Sequence, residues 1–168
     1  MGIISVFLNE ATINLITEDI EDKIIKYADK YGLERALIHA IALQESDKYY
    51  AAIRFEPHLR RAKWYRSTLP DKYIDDKYAY CSIGIMQILY GIARSEGFRG
   101  SPQQLFEPEY GIKYGCKYIK TLIGRYYYLD KVISAYNQGT PKKEGGLFKN
   151  QQYVDSVLSK YRAAGGSN

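Results

Sequence analysis

IALQESDKYYAAIRFEPHL, residues 41–59, decides how this chain is read. An apolar helical run ends there in a glutamate and a serine, then breaks into a charged, aromatic segment. The helix is expected from about Leu33 to Ser46. Leu37, Ile41 and Glu45 fall at i, i+4 and i+8, flanked by Ile38 and Ala42. Glu45 therefore continues the stripe that faces the core. A carboxyl at the last turn of such a stripe loses water, and burial disfavours its anion. The partial negative charge of the helix C-terminus acts in the same direction. Both raise the pKa, as a proton donor at neutral pH requires. The competing reading is a frayed helix end that leaves Glu45 in water, and position alone does not choose between them.

The rest of the chain extends the helical pattern. Thr17 is a candidate N-cap for a helix with an acidic first turn (Glu18, Asp19, Glu21), an apolar face of Ile20, Ile24, Ala28 and Tyr31, and Gly32 as its stop. Residues 47–81 lack a long helical period and are rich in Tyr, Arg and Lys, with Pro57 and Pro70 as interruptions. A connection of that length in a compact domain is usually functional. It is expected to form one wall of a cleft from short helical or hairpin pieces. Helix is expected again over Ser82–Gly97, with Ser82 as N-cap. Ser101-Pro-Gln-Gln reads as a capping box with Pro at N1. Glu107-Pro-Glu-Tyr opens a longer helix with Ile112, Cys116, Ile119, Ile123 and Tyr126 on one side. A short helix over Lys131–Tyr136, a loop over Gly139–Gly146 and an amphipathic helix from Tyr153 to Tyr161 complete the chain, and AAGGSN reads as a frayed tail. The expected fold class is mainly α, or helix-dominated α+β, with about seven helices around a cleft and at most a small β-hairpin.

Composition narrows the function classes. A chain of 168 residues without internal repeat or linker is one domain, large enough for its own core. No run approaches the ~18–20 apolar residues of a membrane span. The start, MGIISVFLNEATINL, lacks the basic region and cleavage site of a signal peptide. Cys81 and Cys116 are either one bridge or two buried thiols, with free thiols favoured. His39 and His58 stand far apart and away from both cysteines, so no metal site is expected. The net charge of +5 suits an anionic partner, and 18 tyrosines suit stacking on sugars or bases. A solvated basic face and a tyrosine-rich core are the plainer readings of the same numbers.

Four stretches gain meaning together: Glu45-Ser46; Ser82-Ile-Gly-Ile-Met-Gln87; Leu105-Phe-Glu-Pro-Glu-Tyr-Gly-Ile112 with Gly115-Cys-Lys-Tyr-Ile119; and Ala135-Tyr-Asn137 followed by Gly139. In order and spacing they resemble the lytic transglycosylase SLT domain, a relative of goose-type lysozyme. Tyr153-Val-Asp-Ser-Val157 is similar to that family's closing helix. The resemblance spans about residues 33–161, leaving 1–32 as an N-terminal helical extension of a single lysozyme-like domain over 1–168. Ile53-Arg-Phe-Glu-Pro-His58 is also similar to members encoded by bacteriophages, which implies a virion or lysis protein and agrees with the unseen signal peptide. The chain departs from the family at Ile85, at Gly111 and at Asp47-Lys-Tyr-Tyr50. The last departure puts substrate contacts there in doubt, but not the acid.

The resemblance implies cleavage of the bond between N-acetylmuramic acid and N-acetylglucosamine in the glycan strands of bacterial peptidoglycan. It implies action on the cell wall; the chain is expected to be a monomer without cofactor or metal, and no nucleic-acid partner is expected because the sequence carries no recognised nucleic-acid motif. Glu45 would be the sole acid and base, giving a 1,6-anhydro product. Tyr136 would donate its hydroxyl to Glu45 or to substrate near it. Ser46 and Gln87 would bond the sugar or its N-acetyl group, Met86 would form an apolar floor, Asn137 would contact the sugar, and Tyr49 and Glu56 would lie among the binding residues. Plainer readings stand beside these: core packing for Tyr136 and Met86, a backbone-bonded helix end for Ser46, and an ion pair of Glu56 with Arg54 or Arg60. If Glu56, Asp75 or Asp76 lies about 6.5–9.5 Å across a cleft from Glu45, an inverting muramidase becomes possible. A non-catalytic wall-binding or nucleic-acid-binding module is the remaining alternative.

Overall fold

A computed structural model of the chain describes residues 10–167, with side chains from residue 19 onward. The apolar start at residues 1–9, part of the segment read for a leader, lies outside the described residues, as does Asn168. In chain order the elements are α1 (Glu10–Tyr31), α2 (Arg35–Ser46), β1 (Ile53–Phe55), α3 (Lys63–Arg66), β2 (Cys81–Ile83), β3 (Ile88–Leu89), α4 (Tyr90–Ser95), α5 (Pro108–Tyr126), α6 (Leu129–Gln138), β4 (Lys143–Glu144), β5 (Leu147–Phe148) and α7 (Gln151–Ala163). Four 3-10 turns join the shorter pieces, among them Pro57–Arg60, Lys77–Tyr80 and Pro102–Phe106. The fold is mainly α and lysozyme-like, with two small antiparallel sheets. No helix among the described residues is long and apolar enough to cross a membrane.

Two apolar cores share one helix. The first joins the inner faces of α1, α2, α5, α6 and α7, with Ile41, Ile112, Cys116, Ile119, Val132 and Val157 at its centre. The second lies under the sheet β1-β2-β3 and the irregular segment, and is built largely from aromatic rings: Tyr65, Tyr80, Tyr90, Phe98 and Tyr114. α5 serves both because its residues fall on different faces. Ile112, Cys116 and Ile119 turn toward the helical core while Tyr110 and Tyr114 turn toward the aromatic one. The cleft runs between these two lobes.

Several local expectations meet tertiary packing and change. Thr17 is no cap, because α1 already runs through it from Glu10. The helix expected over Ser82–Gly97 is largely absent: β2, a turn and β3 occupy residues 81–89, and α4 covers only Tyr90–Ser95. β2 is the central strand and pairs on both sides, with Ile53↔Ile83 and Arg54↔Ser82 on one and Ile83↔Ile88 on the other. Gly84 and Gln87 take φ of +73° and +44°, which no helix tolerates. The Ser101 capping box is present but starts a 3-10 turn, with the Gln104 side chain accepting from the Ser101 N–H at 2.9 Å. The Gly139–Gly146 loop contains a two-stranded hairpin that extends to Phe148. The tail is not frayed through residue 167: the Tyr161 hydroxyl donates to the Ser167 carbonyl at 2.8 Å, and Gly166 N–H to the Tyr161 carbonyl at 3.0 Å.

Two glycines set close approaches beside the cleft. A Cβ on Gly115 would stand 2.8–3.0 Å from Met86 side-chain atoms, so its absence lets α5 lie flush on the 84–87 turn. A Cβ on Gly84 would stand 2.5 Å from the Leu105 carbonyl oxygen, a backbone atom that cannot swing away. Gly84→Ala is therefore expected to lower unfolding free energy by about 2–4 kcal/mol through overpacking and positive φ together. Urea denaturation checks this as a fall in midpoint with unchanged m-value.

Candidate active site

The end of α2 is built without glycine. Asp47 and Lys48 both take positive φ, 52° and 59°, and their N–H groups satisfy the Leu43 and Ala42 carbonyls. Single-residue left-handed caps usually fall to Gly, so this pair needs support from elsewhere. The Lys48 ammonium provides it. It bonds Glu21 of α1 and lies 2.7 Å from His39 Nε2. Burial, and then the Lys48 charge, push the His39 pKa down, which keeps the imidazole neutral and able to accept. The helix end is thus fastened rather than frayed.

Glu45 stands one turn inside that cap. Its carboxyl is largely surrounded by protein at the floor of the cleft, and the Tyr153 hydroxyl of α7 donates to Oε1 at 2.5 Å. Desolvation raises the Glu45 pKa, and the Tyr153 bond and the charge of Arg54 oppose that rise without cancelling it. Burial beside Glu45 drives the Tyr153 hydroxyl far above the ordinary phenol range, so Tyr153 is a neutral donor at any working pH. Oε1 is occupied by this bond, and Oε2 is the oxygen available to a ligand. Because the native state holds this proton more tightly than the unfolded chain, the linked stability is full below the ordinary value near 4.5. It is lost as pH rises through the raised native value.

The cleft holds about 250 Å³. Arg54, Glu56 and His58 line one wall from β1 and the turn after it, with Trp64 from α3, half in solvent, beside them. Gln87, Ile88 and Leu89 follow from the 84–87 turn and β3, and Tyr136–Gly139 from the end of α6 complete the lining. Glu56 accepts from Arg54 Nε at 2.7 Å and from Ser82 Oγ at 3.2 Å, and His58 Nδ1 lies 3.8 Å away. Arg54 is thus the partner Glu56 takes, and Arg60 instead stacks over Phe55 and Tyr80. Asp76 is occupied with the Tyr78 N–H and the Gln103 amide.

The structure brings Glu45, Glu56, Gln87, Tyr136 and Asn137 to one surface. It places three other expected residues off that surface. Met86 is fully buried in the helical core. Ser46 donates to the Ile85 carbonyl at 2.8 Å and joins α2 to the turn. Tyr49 is 60% exposed and rests on Tyr50. The Tyr136 hydroxyl donates to the Met86 carbonyl at 2.7 Å, not to Glu45. Gln87 spends its amide nitrogen on the Ala52 and Gly84 carbonyls, at 3.0 and 2.9 Å. Asn137 Oδ1 accepts from Asn150, which also clasps Ser134. The sequence reading did not assign Tyr153 to the site, because its i, i+4 relation to Val157 reads as core. The signal available was its hydroxyl on an apolar stripe. The two buried cysteines are free thiols.

Residues 22–155 match the transglycosylase SLT domain family. The fold is similar to the X-ray structure of an inactive Glu-to-Gln mutant of lytic transglycosylase Slt from Pseudomonas aeruginosa, with a TM-score of 0.62 at 20% identity. That match covers 86% of this chain and 23% of the Pseudomonas chain, so the present chain spans about a quarter of that protein's length.

Removing the phenol takes away the bond that favours the Glu45 anion. Tyr153→Phe is expected to move the Glu45 titration to higher pH, which NMR of a carboxyl-labelled protein reads directly.

Proposed function

Because the chain belongs to the transglycosylase SLT domain family, we propose that its cleft cleaves the β-1,4 bond between N-acetylmuramic acid and N-acetylglucosamine in peptidoglycan, with Glu45 as the one acid and base. The observation that carries this reading is the Glu45 carboxyl itself. It is shielded from water, raised in pKa by that shielding, and held at one oxygen by a neutral phenol.

The steps follow from those properties. Protonated Oε2 gives its proton to the glycosidic oxygen as the bond to C1 of the muramic acid breaks. The N-acetyl carbonyl of the same sugar supports the positive charge at C1, so no carboxylate nucleophile is required. Glu45 is now an anion, and the Tyr153 hydroxyl and the Arg54 charge stabilise it at this stage. It then removes the proton from the C6 hydroxyl, whose oxygen closes on C1. The 1,6-anhydro ring forms, Glu45 regains its proton, and no water is consumed. A raised pKa suits the first step and the opposing bonds suit the second.

The remaining lining serves position. Trp64 offers a ring face for a sugar, and Asn137 offers its amide nitrogen, whereas the Gln87 amide nitrogen is spent on the Ala52 and Gly84 carbonyls. Glu56 supports a second reading, hydrolysis on the same fold, because it lines the same cleft. Its two donors, Arg54 and Ser82, favour a spectator carboxylate over a base that activates water.

Mass spectrometry of digested, purified peptidoglycan tests the proposal. Anhydro ends, lighter than reducing ends by one water, are expected; reducing ends alone would overturn it in favour of the muramidase. Glu45→Gln is expected to lower the rate by about 10³-fold or more. The same variant keeps an acceptor for Tyr153 and removes a costly ionisation. Its melting temperature is expected to equal or exceed that of the wild type at pH 7, with the gap closing below pH 4.5.

A further inference from the structure

Arg54 stands on the cleft side of β1, open to solvent. Side chains alternate along β1, so Arg54 takes the face opposite to Ile53 and Phe55; all three are exposed, and Arg54 is the one that lines the cleft. Its only hydrogen bond among the described residues runs from Nε to Glu56, at 2.7 Å. The two Nη atoms, the paired edge of the guanidinium, are left without a partner among those residues. An exposed one-point ion pair of this kind holds weakly, and the Arg54 side chain is 61% exposed. Glu56 would not be stranded by a shift of Arg54, because Ser82 also donates to it. The groups that line the cleft with the guanidinium and carry or can carry charge are Glu56, His58 and Glu45, and in the proposed mechanism Glu45 enters the reaction protonated.

We propose that the Nη edge of Arg54 binds the lactyl carboxylate of a muramic acid that carries no stem peptide, so that the cleft favours denuded glycan strands. This assignment rests on the peptidoglycan reading above. The lactyl group hangs from the sugar whose C1 reacts, within reach of a wall that faces Glu45. In a denuded strand it ends in a carboxylate, the flat anion that the fork of an arginine pairs with at two points. A stem peptide converts that carboxylate to a neutral amide. The charge then disappears from the ring and reappears only farther along the peptide.

The experiment compares three substrates: intact peptidoglycan, glycan stripped of peptides by an amidase, and stripped glycan whose lactyl carboxylates are converted to methylamides. The wild type is expected to cleave stripped glycan with kcat/KM about tenfold above the methylamide form, the scale of one charge-assisted contact. Arg54→Gln should bring that ratio close to one, and Arg54→Lys should leave it between. A ratio measured within one protein cancels any effect of the substitution on Glu45 or on folding. An unchanged ratio in Arg54→Gln overturns the assignment and leaves Arg54 as a modulator of Glu45 alone. A selective loss on intact wall also overturns it, because the ligand would then be a stem-peptide carboxylate. Wild type as inert as Glu45→Gln on all three substrates would instead remove the peptidoglycan reading, and the assignment with it.

Discussion

The packing of α2 against α7 is the constraint on which the site depends. It places a phenol over a carboxyl whose other surroundings deny it water. The register of the two helices is fixed by a polar clasp one turn away. The Ser156 hydroxyl and the Lys160 ammonium both reach Gln44 Oε1, at 2.6 and 2.9 Å, and each other at 2.8 Å. Tyr153, Ser156 and Lys160 follow at i, i+3 and i+7, one face of α7, and they meet the adjacent pair Gln44-Glu45. A slide of one helical turn, about 5.4 Å, would break all of these bonds at once. Apolar contact alone would not be so exacting, since Val154 and Val157 could find new neighbours.

A second element turns this pairing into a cleft. The residues 84–87 form a tight turn that fastens three segments, two through its backbone carbonyls and one through a side-chain amide. Ile85 takes the Ser46 hydroxyl from the end of α2, and Met86 takes the Tyr136 hydroxyl from α6. The amide of Gln87 then binds the Ala52 carbonyl, just before β1. Side chains that look like substrate contacts in the sequence are spent here on holding backbone. This is a division of labour: buried polar groups must be paired, and pairing them with backbone carbonyls in and beside this turn leaves Glu45, Arg54, Glu56 and Asn137 to face the open space.

The helical lobe was legible because its period is local. Leu37, Ile38, Ile41 and Ala42 mark α2, and Ile112, Cys116 and Ile119 mark α5, in the sequence as in the core. Glu45 was legible for the same reason, as the polar residue that interrupts a buried stripe. The 81–89 segment was not, because Ile85, Ile88, Leu89 and Ile92 fit a helical face well enough. Only pairing with Ile53–Phe55, some thirty residues earlier, makes Cys81–Ile83 a strand. Tyr153 was hidden by distance in another way. It is 108 residues from Glu45, and periodicity describes which face a residue takes, not what waits opposite. The tail misled through its composition: Gly165 and Gly166 suggest slackness, yet a side chain on Gly166 would strike the Tyr161 ring.

The bare Cα of Gly115 against Met86 has a wider meaning for how such a protein varies over time. The two positions share one parcel of volume, and whatever is added at one must be given up by the other. Met86 is also the residue whose carbonyl restrains Tyr136, so the exchange is not silent at the cleft. Among descendants of this chain, sizes at 86 and 115 should therefore drift in opposite directions as a linked pair. Lineages in which that link breaks should be those whose α6 has moved and whose cleft has acquired a different width.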